Sequence, residues 1–319
     1  MITVLALGPK KEVADVGVRG WTQSRSFKWI DSIHPTAGDL SLISKRTGLT
    51  PAELRDAVDT GKRPHILPGD DHSLITLRAP FIKGNEVHMA TVALFLFKNQ
   101  LVVIRDHDVH GLAHLHVAPP HHLTAMFNRG GPFLVYRIIQ AIVEDFYELM
   151  EDVSGDIDDL EDLVLNEPSK SVSESIFVQK RKLIYLHKAL AANREVLAGL
   201  EKHYVKDFTG TNLRHLRSLY NDTTQLLDII STERDVQASV LDMYVSSVSN
   251  NLNKVMKTLT LISAYVMLPT LIGSIYGMNF ALMPELQWEH GYLFALGLMA
   301  LSVLFVHIYF RRKGWVEWP

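Results

Sequence analysis

Ten residues, eight of them small or polar, recur at alternating steps of three and four along one stretch of this chain: Ser246, Ser249, Asn253, Met256, Thr260, Ser263, Met267, Thr270, Ser274 and Gly277. A sustained 3.5-residue repeat keeps all ten on one face of a helix that supercoils with its neighbours. Hydroxyls and amides in such a row can line a water-filled path. Met256 and Met267, the only large apolar side chains on that face, would form constrictions that gate by dewetting. The competing reading is close helix packing, because small residues are favoured where membrane helices meet. One copy of the helix cannot enclose a pore, so the pore reading requires an oligomer.

The row ends in Tyr276-Gly277-Met278-Asn279-Phe280. Asn279, repeated around an axis, would supply a ring of amide oxygens. Glu285 and Glu289 follow closely and add negative potential. Unpaired carbonyls at the helix C-terminus also attract cations. Mg²⁺ gives up its waters reluctantly. Neutral amides could therefore hold the hydrated ion without trapping it, whereas carboxylates at the filter would slow its exit.

Two apolar segments position these residues, Leu259–Tyr276 and Tyr292–Phe310. A spanning helix needs about 20 mostly apolar residues; the first segment meets this when extended to Phe280. Arg311, Arg312 and Lys313 follow the second segment, Lys254 and Lys257 precede the first, and the loop between has no Lys or Arg. The positive-inside rule then places both termini in the cytosol and the loop outside, giving a multi-pass inner (cell) membrane protein. Trp288, Tyr292, Tyr309 and Trp315 fall near the expected span ends, where aromatic belts sit. Met1–Lys11 shows no basic stretch leading into a long apolar core, so no cleavable signal is expected.

Upstream, short apolar runs read as strands at Ile2–Leu7, Phe27–Ile33, Ser73–Ala79, His88–Phe97 and Leu101–Arg105. Helices are expected at Asp39–Thr47 and Pro51–Thr60, the second capped by Thr50 with Pro51 and Glu53 behind it. This is an α/β domain with a mixed sheet whose strand order cannot be read. Long helices follow at Pro132–Asn166 and Val172–Tyr204, the latter opened by Ser171 or Ser173. A third run, from near Thr211, meets no Gly or Pro until Pro269. Nearly sixty helical residues extend roughly 85–90 Å, so this run is expected to be a stalk leading into the first span. The expected organisation is an α/β domain (1–131), a helical hairpin (132–210), a stalk (211–258), a first span (259–280), an outer loop (281–291), a second span (292–310) and a basic tail (311–319).

Composition narrows the function. The 319 residues are 47% hydrophobic with a formal net charge of −3, so no overall field points to nucleic acid. Cysteine is absent, which removes disulfides and thiolate metal sites. No Gly-rich phosphate loop, Ser-His-Asp arrangement or HExxH is found. The reading is therefore a transporter rather than an enzyme, with uptake driven down the electrochemical gradient, about 2.3 kcal/mol per charge per 100 mV.

Tyr276-Gly277-Met278-Asn279-Phe280, followed by Met283-Pro284-Glu285-Leu286 and Trp288, resembles the signature of the CorA-type divalent cation transporters. The stretch Tyr244-Val245-Ser246-Ser247-Val248-Ser249-Asn250 with Asn253, Lys254, Val255 and Met256 resembles that family's stalk. Trp29-Ile30-Asp31 resembles its first strand. The resemblance implies a funnel-shaped homopentamer in a lipid bilayer that passes Mg²⁺ and often Co²⁺ and Ni²⁺. It implies an outer selectivity ring at Gly277, Met278 and Asn279, an upper pore at Thr270 and Ser274, and a constriction at Asn253, Met256, Leu259 and Met267. It further implies a basic ring at Arg311, Arg312 and Lys313, and a regulatory Mg²⁺ site between subunits involving Asp56. Where the resemblance leads one to expect an acid opposite Asp56, this chain has Ser218; Asp222, one turn away, could substitute.

Two other clusters stand out. Ten acids and no Lys or Arg fall between Glu144 and Asp162, while Lys180, Arg181, Lys182 and Lys188 make the next helix basic. The plain reading is a solvated hairpin with complementary faces; the functional one is a cation reservoir or a counter-charge for the basic ring. His107, His110, His114, His116, His121 and His122 crowd one segment with Asp106 and Asp108. They read as a loop or sheet edge, or as a Zn²⁺, Ni²⁺ or Co²⁺ site. His307 reads as a helix-contact residue. Two alternatives to a Mg²⁺ channel remain: a zinc transporter of the ZntB-like branch, and a non-conducting membrane-tethered metal sensor.

Overall fold

The computed structural model describes residues 2–7, 12–23, 26–84, 86–166, 168–202, 204–280 and 283–316. Residues 281–282 of the expected outer loop, 317–319 of the expected tail, and residues 1, 8–11, 24–25, 85, 167 and 203 lie outside the described residues. The chain forms two compact units, Met1–Leu241 and Asp242–Pro319.

The first unit holds a seven-stranded mixed sheet. Its strands are β1 (Ile2–Leu7), β2 (Val13–Asp15), β3 (Lys28–Ile33), β4 (Ile66–Leu67), β5 (His72–Lys83), β6 (Glu86–Phe97) and β7 (Gln100–Arg105). Their order is β2-β1-β3-β7-β6-β5-β4. Neighbours are antiparallel except β3 and β7, which run parallel with Trp29 opposite Leu101 and Asp31 opposite Val103. Every residue of β7 is buried, as a strand covered on both faces requires. Ile30, Phe95, Val102 and Ile104 point to one face and pack with Trp21 of α1 (Gly17–Gln23), Ile43 of α2 (Ala37–Thr47) and Leu54 of α3 (Pro51–Val58). The alternate residues face α4 (His110–His116), α6 (Gly131–Asn166) and α7 (Lys170–Glu201); α5 (Pro120–Asn128) lies between α4 and α6 in sequence.

Local chemistry explains the helix starts. Thr50 Oγ1 accepts from the Glu53 N–H while the Glu53 carboxylate accepts from the Thr50 N–H at 2.7 Å, a reciprocal cap with Pro51 behind it. Thr36 and Asp39 repeat the arrangement, so α2 begins at Ala37 rather than Asp39. Helix α7 is capped by Ser169, not by Ser171 or Ser173: its hydroxyl accepts from the Val172 N–H at 3.4 Å, and the helix starts at Lys170. Elements β2, β4, α1, α4 and α5 have no counterpart in the sequence reading, because each is too short to show a period.

In the first unit α6 and α7 form an antiparallel hairpin. Asp156 of α6 accepts from Lys182 Nζ at 2.9 Å and from Gln179 Nε2 at 2.7 Å on α7. Asp145, by contrast, is buried and accepts from the Gly111 N–H at 2.9 Å. A side chain at Gly111 would meet the Ala141 carbonyl oxygen at 2.7 Å, so glycine is what lets α4 approach α6 this closely. Asn193 of α7, also buried, brackets the Arg78 peptide of β5, accepting from its N–H at 2.9 Å and donating to its carbonyl at 2.7 Å.

Helix α8 runs from Thr211 to Tyr276, 66 residues without a break at Pro269, and its last part enters the second unit. A 3-10 turn, Pro284–Gln287, and α9, Gly291–Arg312, complete that unit. Among the described residues, α8 and α9 are the two helices long and apolar enough to cross a membrane. Residues 277–280 are not helical: the Gly277 N–H still reaches the Gly273 carbonyl, but the Met278 N–H bonds Ile275, and this tightening ends the helix.

Candidate functional site

The polar row is a real surface of α8. Ser246, Ser249, Asn253, Met256, Thr260, Ser263, Met267, Thr270 and Ser274 are all exposed in the single chain, as is Gly277 just beyond the helix. Leu259, one step off the row, is exposed too. Helix α9 packs on a different face. There Lys257 Nζ donates to the Gly314 carbonyl at 3.3 Å, Tyr265 Oη and His307 Nδ1 share a 3.0 Å hydrogen bond, and Gly273 approaches Met299. The half-buried residues Leu261, Ala264, Leu268 and Ile272 lie along that contact. The partner helix of the same chain therefore leaves the polar row uncovered.

Three hydroxyls of the row are anchored. Thr260 donates to the Met256 carbonyl at 2.8 Å, Thr270 to Val266 at 2.7 Å and Ser274 to Thr270 at 2.8 Å. Each of these three oxygens keeps its lone pairs as acceptors, so at Thr260, Thr270 and Ser274 the row presents acceptor oxygens. Beyond it, Gly277, Met278 and Asn279 are exposed at the helix end. Glu285 lies on the 3-10 turn and Glu289 just before α9, both exposed. The turn is held close to α9 by a glycine, because a Cβ at Gly291 would sit 2.2 Å from the Glu285 carbonyl oxygen.

Arg311 and Arg312 occupy the last turn of α9, and Lys313 caps it, where cations complement the helix dipole. The Lys257–Gly314 contact brings a fourth cation to this end; the sequence reading used Lys257 only for orientation. Tyr265 was also missed, since nothing in its spacing marks it as the partner of His307.

The regulatory candidates are not joined within one chain. Asp56 of α3 is held by Lys62 at 2.8 Å, and that hydrogen bond keeps its carboxyl below the usual range. Asp222 of α8 is half-buried and burial raises its carboxyl, while its backbone carbonyl accepts from Tyr147 Oη. Ser218 is exposed on the same helix.

The histidine segment is neither a loop nor a sheet edge for the most part: His110, His114 and His116 lie on α4, His121 and His122 on α5. Short helices of this kind carry no readable period. His116 has a core role. It stacks on Trp29 with ring centroids 4.2 Å apart and bonds Asp31 at 2.7 Å, which also pairs with Arg105 at 2.8 Å. Burial alone would raise the Asp31 carboxyl, but His116 and Arg105 outweigh it and hold it below its ordinary value. Among the described residues, no group of three or more His, Asp or Glu is placed to hold a metal ion.

An α/β unit and a membrane unit share one helix, whose uncovered polar face ends in a Gly-Met-Asn turn. This is the class of two-helix membrane cation transporters. Residues 24–312 match the family model described as CorA-like Mg²⁺ transporter protein. The cobalt/magnesium transport protein CorA of Thermotoga maritima is 33% identical over 298 residues, covering 90% of this chain and 83% of that one. The protein of the same name from Methanocaldococcus jannaschii is 28% identical over 318 residues, covering 99% and 100%. The complete structure of that archaeal CorA magnesium transporter superposes with a TM-score of 0.86 at 26% identity, covering 99% of each chain. The chain belongs to the CorA-like Mg²⁺ transporter family.

Proposed function

We propose that this protein is a homopentameric channel for Mg²⁺ in the cell membrane, with Co²⁺ and Ni²⁺ as further cargo and both termini in the cytosol. One observation carries the reading: the polar face of α8 is left bare by α9 and leads to Asn279. Copies of the chain placed around an axis would cover that face with one another and enclose a path. Hydrated Mg²⁺ would meet amide oxygens at Asn279, acceptor oxygens at Ser274, Thr270, Ser263 and Thr260, and constrictions at Met267, Leu259, Met256 and Asn253. Glu285 and Glu289 would raise the local cation concentration outside. Arg311, Arg312 and Lys313 would set the potential at the inner face. Transport down the gradient needs no nucleotide hydrolysis.

Gating follows from Asp56. Bound Mg²⁺ between subunits near Asp56 and Asp222 would hold the stalks together and the pore shut; loss of the ion would let them part. Asp56 must first leave Lys62, so the site would fill only when Mg²⁺ is abundant.

Mg²⁺ influx into proteoliposomes tests the proposal. Asn279→Ala should abolish it while the oligomer stays intact by gel filtration; unchanged flux removes Asn279 from the selectivity ring. Running Co²⁺, Ni²⁺ and Zn²⁺ in the same assay fixes the cargo, and flux of Zn²⁺ without Mg²⁺ would reverse the choice of ion.

A further inference from the structure

A cavity of about 610 Å³ opens on the first unit where residues 60–64, strand β5 and helix α7 meet. Four cationic side chains line it, Lys62, Arg63, Arg78 and Lys188, against a single carboxylate, Glu195. The chain as a whole is net negative, so this concentration of positive charge is local.

The four cations differ in how they are engaged. Arg78 is half-buried and donates to Thr91 Oγ1 and to the carbonyls of Thr60 and Lys62, which holds the rim in place. Burial lowers its pKa, and Asp106 and Asp59 act against that from a distance. It makes no ion pair among the described residues. Lys62 is taken by Asp56 at 2.8 Å. Arg63 and Lys188 are exposed and form no ion pair among the described residues. His187 is also on the wall; burial, then Arg234 and Arg194, lower its pKa from the ordinary imidazole value. Tyr185 stands at the edge half-exposed, and among the described residues its ring stacks on no other.

A cavity of this size is in the range that holds small ligands. A divalent cation would be repelled. Guanidinium and ammonium groups suit phosphoryl oxygens, the former as a bidentate fork, and a free aromatic face suits a base. We infer that this cavity binds a nucleoside polyphosphate, its phosphates on Arg63 and Lys188 and its base on Tyr185, with Arg78 holding the rim and adding positive charge behind it. Side chains would do here what a Gly-rich loop does elsewhere. The three residues that would hold the ligand, Arg63, Lys188 and Tyr185, are neither pore nor regulatory candidates, although the cavity borders the regulatory Asp56 through Lys62.

Equilibrium dialysis of the detergent-solubilised full chain in Mg²⁺-free buffer tests the site, with adenosine triphosphate and inorganic triphosphate as separate probes. Saturable binding of one adenosine triphosphate per chain is expected. The double variant Arg63→Glu, Lys188→Glu should weaken both probes by roughly tenfold or more, and Tyr185→Ala should weaken adenosine triphosphate alone by about threefold or more. The three positions are exposed, so far-UV circular dichroism should not change; the charge-neutralising pair Arg63→Gln, Lys188→Gln should act in the same direction. No saturable binding, binding that survives the charge reversal, or adenosine triphosphate binding indifferent to Tyr185→Ala overturns the assignment.

Discussion

Two buried carboxylates behave oppositely because their partners differ. Asp31 lies against a guanidinium and an imidazole, so its charge is matched. Asp145 has one backbone N–H, with Glu144 and Glu148 nearby, and burial raises its pKa to about 6. A raised folded pKa means that the folded form holds its proton longer than the unfolded one. The stability this contributes is complete below the ordinary carboxyl value of 3.8 and is lost as pH rises to about 6. Asp145→Asn keeps an acceptor for Gly111 and removes the titration. It should raise stability at pH 8 on the order of 2 kcal/mol and flatten the pH dependence of the thermal midpoint between pH 4 and about 6. Arg105→Met should do the reverse, leaving Asp31 buried beside His116 alone. Both Arg105 and Asp31 are 1% exposed, and breaking such a pair costs about 3–5 kcal/mol, which calorimetry would read as a large fall in the midpoint. Of these residues the sequence marked Trp29-Ile30-Asp31 as part of a strand and by resemblance, and Arg105 only as the end of a strand. Nothing local ties them to His116, because the contact joins residues 85 apart in the chain.

At the scale of elements, α8 presents two faces that differ in what covers them. One packs on α9; the other carries the polar row and is bare, as is the apolar flank beside it with Ile262, Val266 and Leu271. The absence of cysteine makes the distinction measurable with single-cysteine variants. Ser263→Cys should react quickly with a small water-soluble thiol reagent in membranes, and Cd²⁺ bound there should block Mg²⁺ flux. Leu268→Cys, on the α9 side, should react slowly and leave flux unchanged. Equal reactivity would mean that the row is not lined by water. The row itself was legible because a 3.5-residue period survives in sequence without any knowledge of partners. The ends of the helices were less so: α7 begins two residues before the expected Val172 because Ser169, not Ser171 or Ser173, is the cap.

At the scale of the whole molecule, the proposal requires copies to meet along the polar row. Light scattering with detergent correction should give five times the mass of the 36.0 kDa chain; a monomer that still conducts would end the pore reading. The charge pattern fixes a second expectation. Glu285→Cys in intact cells should react with an impermeant reagent from outside, and a cysteine placed at Arg63 should not. The sequence by itself determined what depends on near neighbours: the two apolar spans, the long helix, the polar row, the Gly-Met-Asn turn and the family they resemble. These follow from hydropathy and periodicity, which act over a few residues. Only the tertiary structure decided the strand order, the parallel pairing of β3 with β7, the buried Asp31–Arg105–His116 group, the face of α8 that α9 covers, and the basic cavity beside α7. Each of these joins residues far apart in the chain, and such pairings are chosen by the packing of the whole core, which no short stretch of sequence contains.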